Sequence, residues 1–168
     1  RMVDVQGALG TLWQCGIWLV GGFFLIVNLR FWWNLRKTRR PAGDYRGKPV
    51  YEADGLPSPC LFGLFSPAIY LTPGLEGDER EHVLAHEYTH FRQGDTGWAI
   101  WRGVLLALHW YNPLVWLAAH LSRRDCEFSC DEGAVKLLGE EHRADYGRTL
   151  VGLVTRKTAP TDLLRCAT

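Results

Sequence analysis

Hydrophobic positions are spread very unevenly along this chain. From residue 8 to residue 29 there is no charged side chain, and the run of Leu, Ile, Val, Phe, Trp and Gly is long enough to cross a hydrocarbon core of ~30 Å as one helix. A cleaved signal would carry its basic flank before the apolar run. Here Arg30, Arg36, Lys37, Arg39 and Arg40 follow it, interleaved with Phe31, Trp32 and Trp33. Such a basic and aromatic border stays on the cytoplasmic side, so residues 1–40 are expected to be a transmembrane helix with its cytoplasmic margin.

Across residues 41–75 the texture changes to Gly, Pro and short β-prone runs at 49–52, 61–65 and 68–71, which predict two or three strands of a small sheet. Asp78 followed by Glu81 is a capping-box pattern. It predicts a helix from near Glu79 to about Gly94, with Val83 and Leu84 on its apolar side. A second apolar stretch, 98–121, is interrupted by Arg102, His109, His120 and the pair Asn112-Pro113. It reads as two helices meeting at Pro113, lying in the membrane interface or packed on the first span, in preference to a second plain span. Helices over about 122–138 and 141–156, parted at Gly139, complete the pattern. Residues 76–157 thus form a helical core with membrane-associated helices near 97–121, and 158–168 a linker or truncated end. The fold class is α+β, mainly helical, with a small sheet and at least one transmembrane helix.

With 168 residues and a formal net charge of +1, the chain suits one modest domain, and nothing global draws it to nucleic acid. Trp residues cluster near the two apolar stretches, as membrane-interface anchors do. Five cysteines without a CxxC pair suggest reduced side chains, not a disulfide framework. Beginning at Arg1 and stopping after Cys166-Ala167-Thr168, the chain has the ends expected of a piece of something longer.

The chemistry lies in the predicted helix after Asp78, which reads His86-Glu87-Tyr88-Thr89-His90. Residues four apart share a helix face, so His86 and His90 can offer two imidazole nitrogens to one zinc ion. A catalytic zinc needs a third protein ligand and an open position. Glu127 and Asp131, again four apart, are the candidates. Glu87, turned about 100° from the ligand face, can take a proton from the attacking water and pass it to the departing amine. Chance occurrences of HExxH are common as surface histidines, but a capped helix and a downstream acidic pair are the surroundings a zinc protease needs. The run 68–71, with Ile69 and Tyr70, suggests a sheet edge to which an extended substrate could add as a strand; an ordinary core strand is the bland alternative. Cys126 and Cys130 read as small buried side chains sooner than ligands. His82, His109, His120 and His142 read as structural or interfacial, with His109 the first of them to consider near a substrate. Cys60 has no evident partner.

The motif HEYTH, then Arg92 and Asp95, the segment His109-Trp110-Tyr111-Asn112-Pro113-Leu114-Val115-Trp116, Arg124-Asp125-Cys126-Glu127 and Cys130-Asp131-Glu132 occur in order. They are preceded by Ser58-Pro59 and Gly63-Leu64-Phe65-Ser66-Pro67. Together these closely resemble the BlaR/MecR-type membrane metallopeptidases, over most of the chain between residues 8 and 152. The resemblance implies a gluzincin-like domain holding about one zinc per chain through His86, His90 and Glu127, with Glu87 as general base. Asp131 would orient a ligand histidine or touch the metal. It further implies a bacterial cell-membrane protein with its protease site facing the cytoplasm, a sensor or partner outside this chain, cleavage of itself, and direct or indirect inactivation of a transcriptional repressor. The β-lactam receptors of this type carry a Ser-x-x-Lys sensor motif, and no Ser-x-x-Lys occurs in this sequence. Two alternatives stand beside a signalling endopeptidase: a catalytically silent membrane scaffold, and a housekeeping membrane zinc protease.

Overall fold

A computed structural model describes residues 5–157. Helix α1 (Val5–Thr38) is followed by strands β1 (Arg39–Tyr45), β2 (Lys48–Ala53), β3 (Cys60–Phe62) and β4 (Ala68–Leu71). Then come helices α2 (Gly77–Gln93), α3 (Asp95–Leu108) and α4 (Pro113–Leu138), a 3-10 turn at Glu140–His142, and α5 (Arg143–Lys157). The chain divides into two compact units. One holds α1, α3 and α4 as far as Glu127; the other holds the sheet, α2, the rest of α4 and α5. The expected tail at 158–168, with Cys166, lies outside the described residues.

In the first unit, α1 has 34 residues, about 50 Å of helix, and is long and apolar enough to cross a membrane. The basic border as far as Lys37 is part of the helix itself, while Arg39 and Arg40 open β1: Arg36 stacks on Trp32 at 4.4 Å and Lys37 on Trp33 at 5.6 Å, each one turn apart. α3 packs on α1. Trp13 Nε1 donates to the Leu108 carbonyl at 2.9 Å, and Trp110 Nε1 donates to the Trp13 carbonyl at 3.3 Å. Gly16 makes this approach possible, because a Cβ there would lie 2.0 Å from the Trp110 indole. These tryptophans therefore join helices, whereas Trp18, Trp33, Trp98 and Trp101 remain exposed in the manner of interface anchors. Arg102, the charge inside the second apolar stretch, reaches Ser122 Oγ and Cys126 Sγ, both at 3.4 Å.

The break at Asn112-Pro113 is as expected: the Asn112 side chain accepts from the Leu114 N–H at 3.0 Å, and Pro113 takes the first helical position. The expected boundary near Ser122 is not there. α4 runs unbroken for 26 residues, since nothing between Pro113 and Gly133 is a helix breaker. The apolar-to-polar change at Ser122 marks a change of surroundings, not an end of helix.

In the second unit the strand order is β1-β2-β4-β3, with β2 and β4 parallel and the other pairs antiparallel. β1, absent from the sequence expectation, is an edge strand that tolerates Pro41 and bulges between Pro41 and Gly43. Its hairpin to β2 turns at Arg46 and Gly47, both at positive φ (50° and 79°), the geometry that matches strand twist. The expected edge at 68–71 is corrected. β4 lies between β2 and β3, and Ile69 and Tyr70 are buried at 0% and 5% exposure, so neither can pair with a substrate. The free side of the sheet beyond β4 belongs to β3. The capping box is also replaced: Asp78 lies within the first turn of α2, and Glu81 accepts a 2.8 Å hydrogen bond from the Tyr45 hydroxyl. Val50, Ile69, Leu71, Leu75, Val83 and Leu84 form the core between sheet and α2. Ala85, Ala134, Val135 and Tyr146 form the core among α2, α4 and α5.

Candidate metal centre

The helical period of α2 places His82, His86 and His90 on successive turns of one side. Each ring is held from behind by a different neighbour. Thr149 Oγ1 donates to the Asp145 carbonyl at 3.2 Å, so its oxygen is left to accept from His82 Nδ1 at 2.8 Å. Tyr146, also on α5, donates its hydroxyl proton to Asp131 Oδ1 at 2.7 Å and receives His86 Nδ1 at 2.8 Å; Asp131 Oδ1 is itself 3.1 Å from His86 Nδ1. For His90, Nδ1 lies 3.1 Å from the buried Cys130 Sγ. That thiol points on to Gln93 Oε1 at 3.6 Å, and Gln93 Nε2 donates to the Ser129 carbonyl at 3.1 Å.

A proton on Nδ1 of each ring would satisfy these contacts, the hydroxyl and carboxylate accepting from His86 and the sulfur from His90. A neutral imidazole protonated on Nδ1 bears its lone pair on Nε2, and the two Nε2 atoms face each other at 3.1 Å. In that tautomer both lone pairs are offered to a cation lying between them. Two ligand nitrogens 2.0–2.1 Å from a tetrahedral zinc would stand about 3.3 Å apart, so the pair fits such an ion with little movement.

Glu87 is buried at 7% exposure on the neighbouring side of α2. Its negative charge reaches Cys60 on β3, whose thiol is pushed up to about 12 by burial first and by Glu87 second. β3 packs against α2, the helix that carries Glu87. The Tyr146 hydroxyl is pushed upward too, by burial and by the hydrogen bond it makes to Asp131. Close packing of α2 on α4 depends on Gly133, where a Cβ would meet Thr89 Cγ2 at 2.5 Å.

The chain carries histidine, glutamate and cysteine side chains that could hold a metal, among them His86, His90, Glu127 and Cys130. Of the residues singled out from the sequence, His86, His90 and Asp131 come together in the second unit, with Glu87 on the adjacent helix face. Glu127 is the last residue of the first unit. It lies on the same unbroken helix as Asp131, one turn earlier, and so shares its face. His109 caps the C-terminus of α3 in the first unit, its ring 3.3 Å from the Leu105 carbonyl. Sequence reasoning missed Tyr146, Gln93 and the contact of Cys130 with His90. None of these carries a motif, and only a lone aromatic on the polar α5 hinted at Tyr146.

The chain is 30% identical over 110 residues to Regulatory protein BlaR1 of Bacillus licheniformis, covering 64% of this chain and 18% of that protein. It is 24% identical over 106 residues to the Methicillin resistance mecR1 protein of Staphylococcus aureus, covering 61% of this chain and 18% of that one, and the same figures hold for the Staphylococcus epidermidis protein. It thus spans under a fifth of the length of the curated relatives it matches. The profile of the family described as BlaR1 peptidase M56 matches residues 3–168, and the chain belongs to that peptidase family.

Proposed function

We propose that this chain is the catalytic part of a membrane-bound zinc endopeptidase, with His86, His90 and Glu127 as ligands and Glu87 as general base. The observation that carries the reading is the pair of Nε2 atoms at 3.1 Å, both aimed at one point by partners on Nδ1. Glu127 follows from α4, which brings a carboxylate one turn before Asp131. When bound, zinc would polarise the scissile carbonyl and favour the charge that develops on its oxygen. Glu87 would draw a proton from the attacking water and return it to the departing amine; its burial keeps that carboxylate out of bulk solvent. β3, at the end of the sheet and packed on α2, is the strand along which an extended peptide would lie.

The membrane setting rests on α1, and its basic end at Arg36 and Lys37 favours a cytoplasmic protease face. The substrate class proposed is protein in a bacterial signalling pathway: a transcriptional repressor and the chain itself, with a sensor supplied outside these residues. The support is membership of the family and the regulatory names of the relatives.

The test is zinc content by elemental analysis of detergent-purified wild type and of Glu127→Ala. About one zinc per chain in the wild type, lost or strongly weakened in the variant, is the expected result. Folded wild type without zinc would make a silent scaffold the better account.

A further inference from the structure

Helix α5 bears no residue that the motif points to, yet two of its hydroxyls stand behind two histidines of α2. Thr149 meets Nδ1 of His82 and Tyr146 meets Nδ1 of His86, each at 2.8 Å. The two contacts differ in what lies beyond them. Thr149 donates its hydrogen bond to a backbone carbonyl of its own helix, and His82 is one turn away from the facing Nε2 pair. Tyr146 donates its hydrogen bond to Asp131 on α4, and so ties α2, α4 and α5 together at the ring that would bind metal. Its side chain is 3% exposed, and its ring lies edge-on to His82 at 5.9 Å, so the hydroxyl has little room to swing away.

We propose that Tyr146 is a positioning residue for His86: it accepts the Nδ1–H, fixes the tautomer and aims Nε2. This rests on the metal reading above. Asp131 alone, at 3.1 Å from Nδ1, gives a longer contact than the hydroxyl and is itself held by the Tyr146 proton. Removing the hydroxyl therefore loosens both groups behind His86 while leaving the ring packing of Tyr146 in place.

The experiment measures zinc affinity by chelator competition on detergent-purified full chain, for wild type, Tyr146→Phe and Thr149→Val, with helix content by circular dichroism as the folding control. Cobalt-substituted protein adds the visible absorption of the site as a second readout that does not depend on cleavage. Tyr146→Phe is expected to keep its helix content, weaken zinc binding roughly 10- to 100-fold and alter the cobalt spectrum, as loss of the group behind a ligand histidine does. Thr149→Val is expected to bind as wild type does. Wild-type affinity and spectrum in Tyr146→Phe would overturn the inference and leave the metal reading standing, as would equal weakening in both variants, which would mean a general effect of α5 packing. A wild type that binds no zinc would overturn the metal reading and this inference with it.

Discussion

Glu87 follows His86 directly, and one residue of helix gives it a different neighbourhood. The histidine rings meet hydroxyl, carboxylate and thiol, while the glutamate is buried near Cys60 and β3. If the two residues have separate duties, Glu87→Gln should keep zinc within a few-fold of wild type and lose peptide cleavage by at least about a hundredfold. Parallel zinc analysis and a cleavage assay on purified chain measure both; retained cleavage would remove Glu87 from the mechanism. The histidine pair and Glu87 are legible in the sequence because a four-residue spacing on a helix needs only local geometry. Tyr146 is not, because its role arises from α5 folding back across 60 residues to meet His86. Likewise Cys130 reads as a small buried side chain and is one, but its sulfur against His90 is set by helix packing that no spacing encodes.

Among the elements, α2 and α4 carry the candidate site between them, and Gly133 sets how closely they approach. Thr89 has no slack to give, as its hydroxyl is bound to the Ala85 carbonyl at 2.8 Å and its methyl would meet the new Cβ. Gly133→Ala is therefore expected to destabilise the second unit by about 1–3 kcal/mol, despite the better helix propensity of Ala. It should also weaken zinc binding by drawing Cys130 away from His90, and thermal unfolding together with chelator competition would register the two effects. Element by element, the sequence signals that succeeded were strong local ones: the apolar run of α1, Asn112-Pro113 at the start of α4, and Gly139 at its end, where φ is 109°. Those that failed were relational. An apolar run such as 68–71 states that a strand is buried, and full burial is the mark of an interior strand; the open edge went instead to β3, which is three residues long and half-buried.

At the scale of the molecule, Tyr45 joins the end of β1 to α2, and its hydroxyl proton on Glu81 makes its ionisation costly. Burial foremost, then Glu81, pushes its pKa from 10.0 up to about 12. The sign follows from the raised value. The folded chain prefers the protonated phenol, so this contribution is complete below about pH 10 and disappears as pH rises toward 12. Wild type should thus exceed Tyr45→Phe in stability by about 1 kcal/mol near neutral pH, with the gap closing across that alkaline window. Unfolding of both proteins from pH 8 to pH 12 would show it; a gap independent of pH would place the Tyr45 proton elsewhere. Membership of a peptidase family and the mainly helical α+β class were both readable from ordered motifs and periodicity. The assembly of the chain into two units was not, because α3 and the first half of α4 side with α1 across long stretches of sequence.

The two ends of the sheet differ in how far each could serve as a template for another strand. β1 is the longer edge, and Arg39, Arg40, Pro41 and the bulge beside Gly43 spoil it as a template for a neighbouring molecule. β3 has none of these devices, but its three residues present too few outward amides and carbonyls to seed a growing cross-β stack. Aggregation needs repetition along an edge, whereas capture of one extended segment needs only a short grip. A strand cut to that length separates the two.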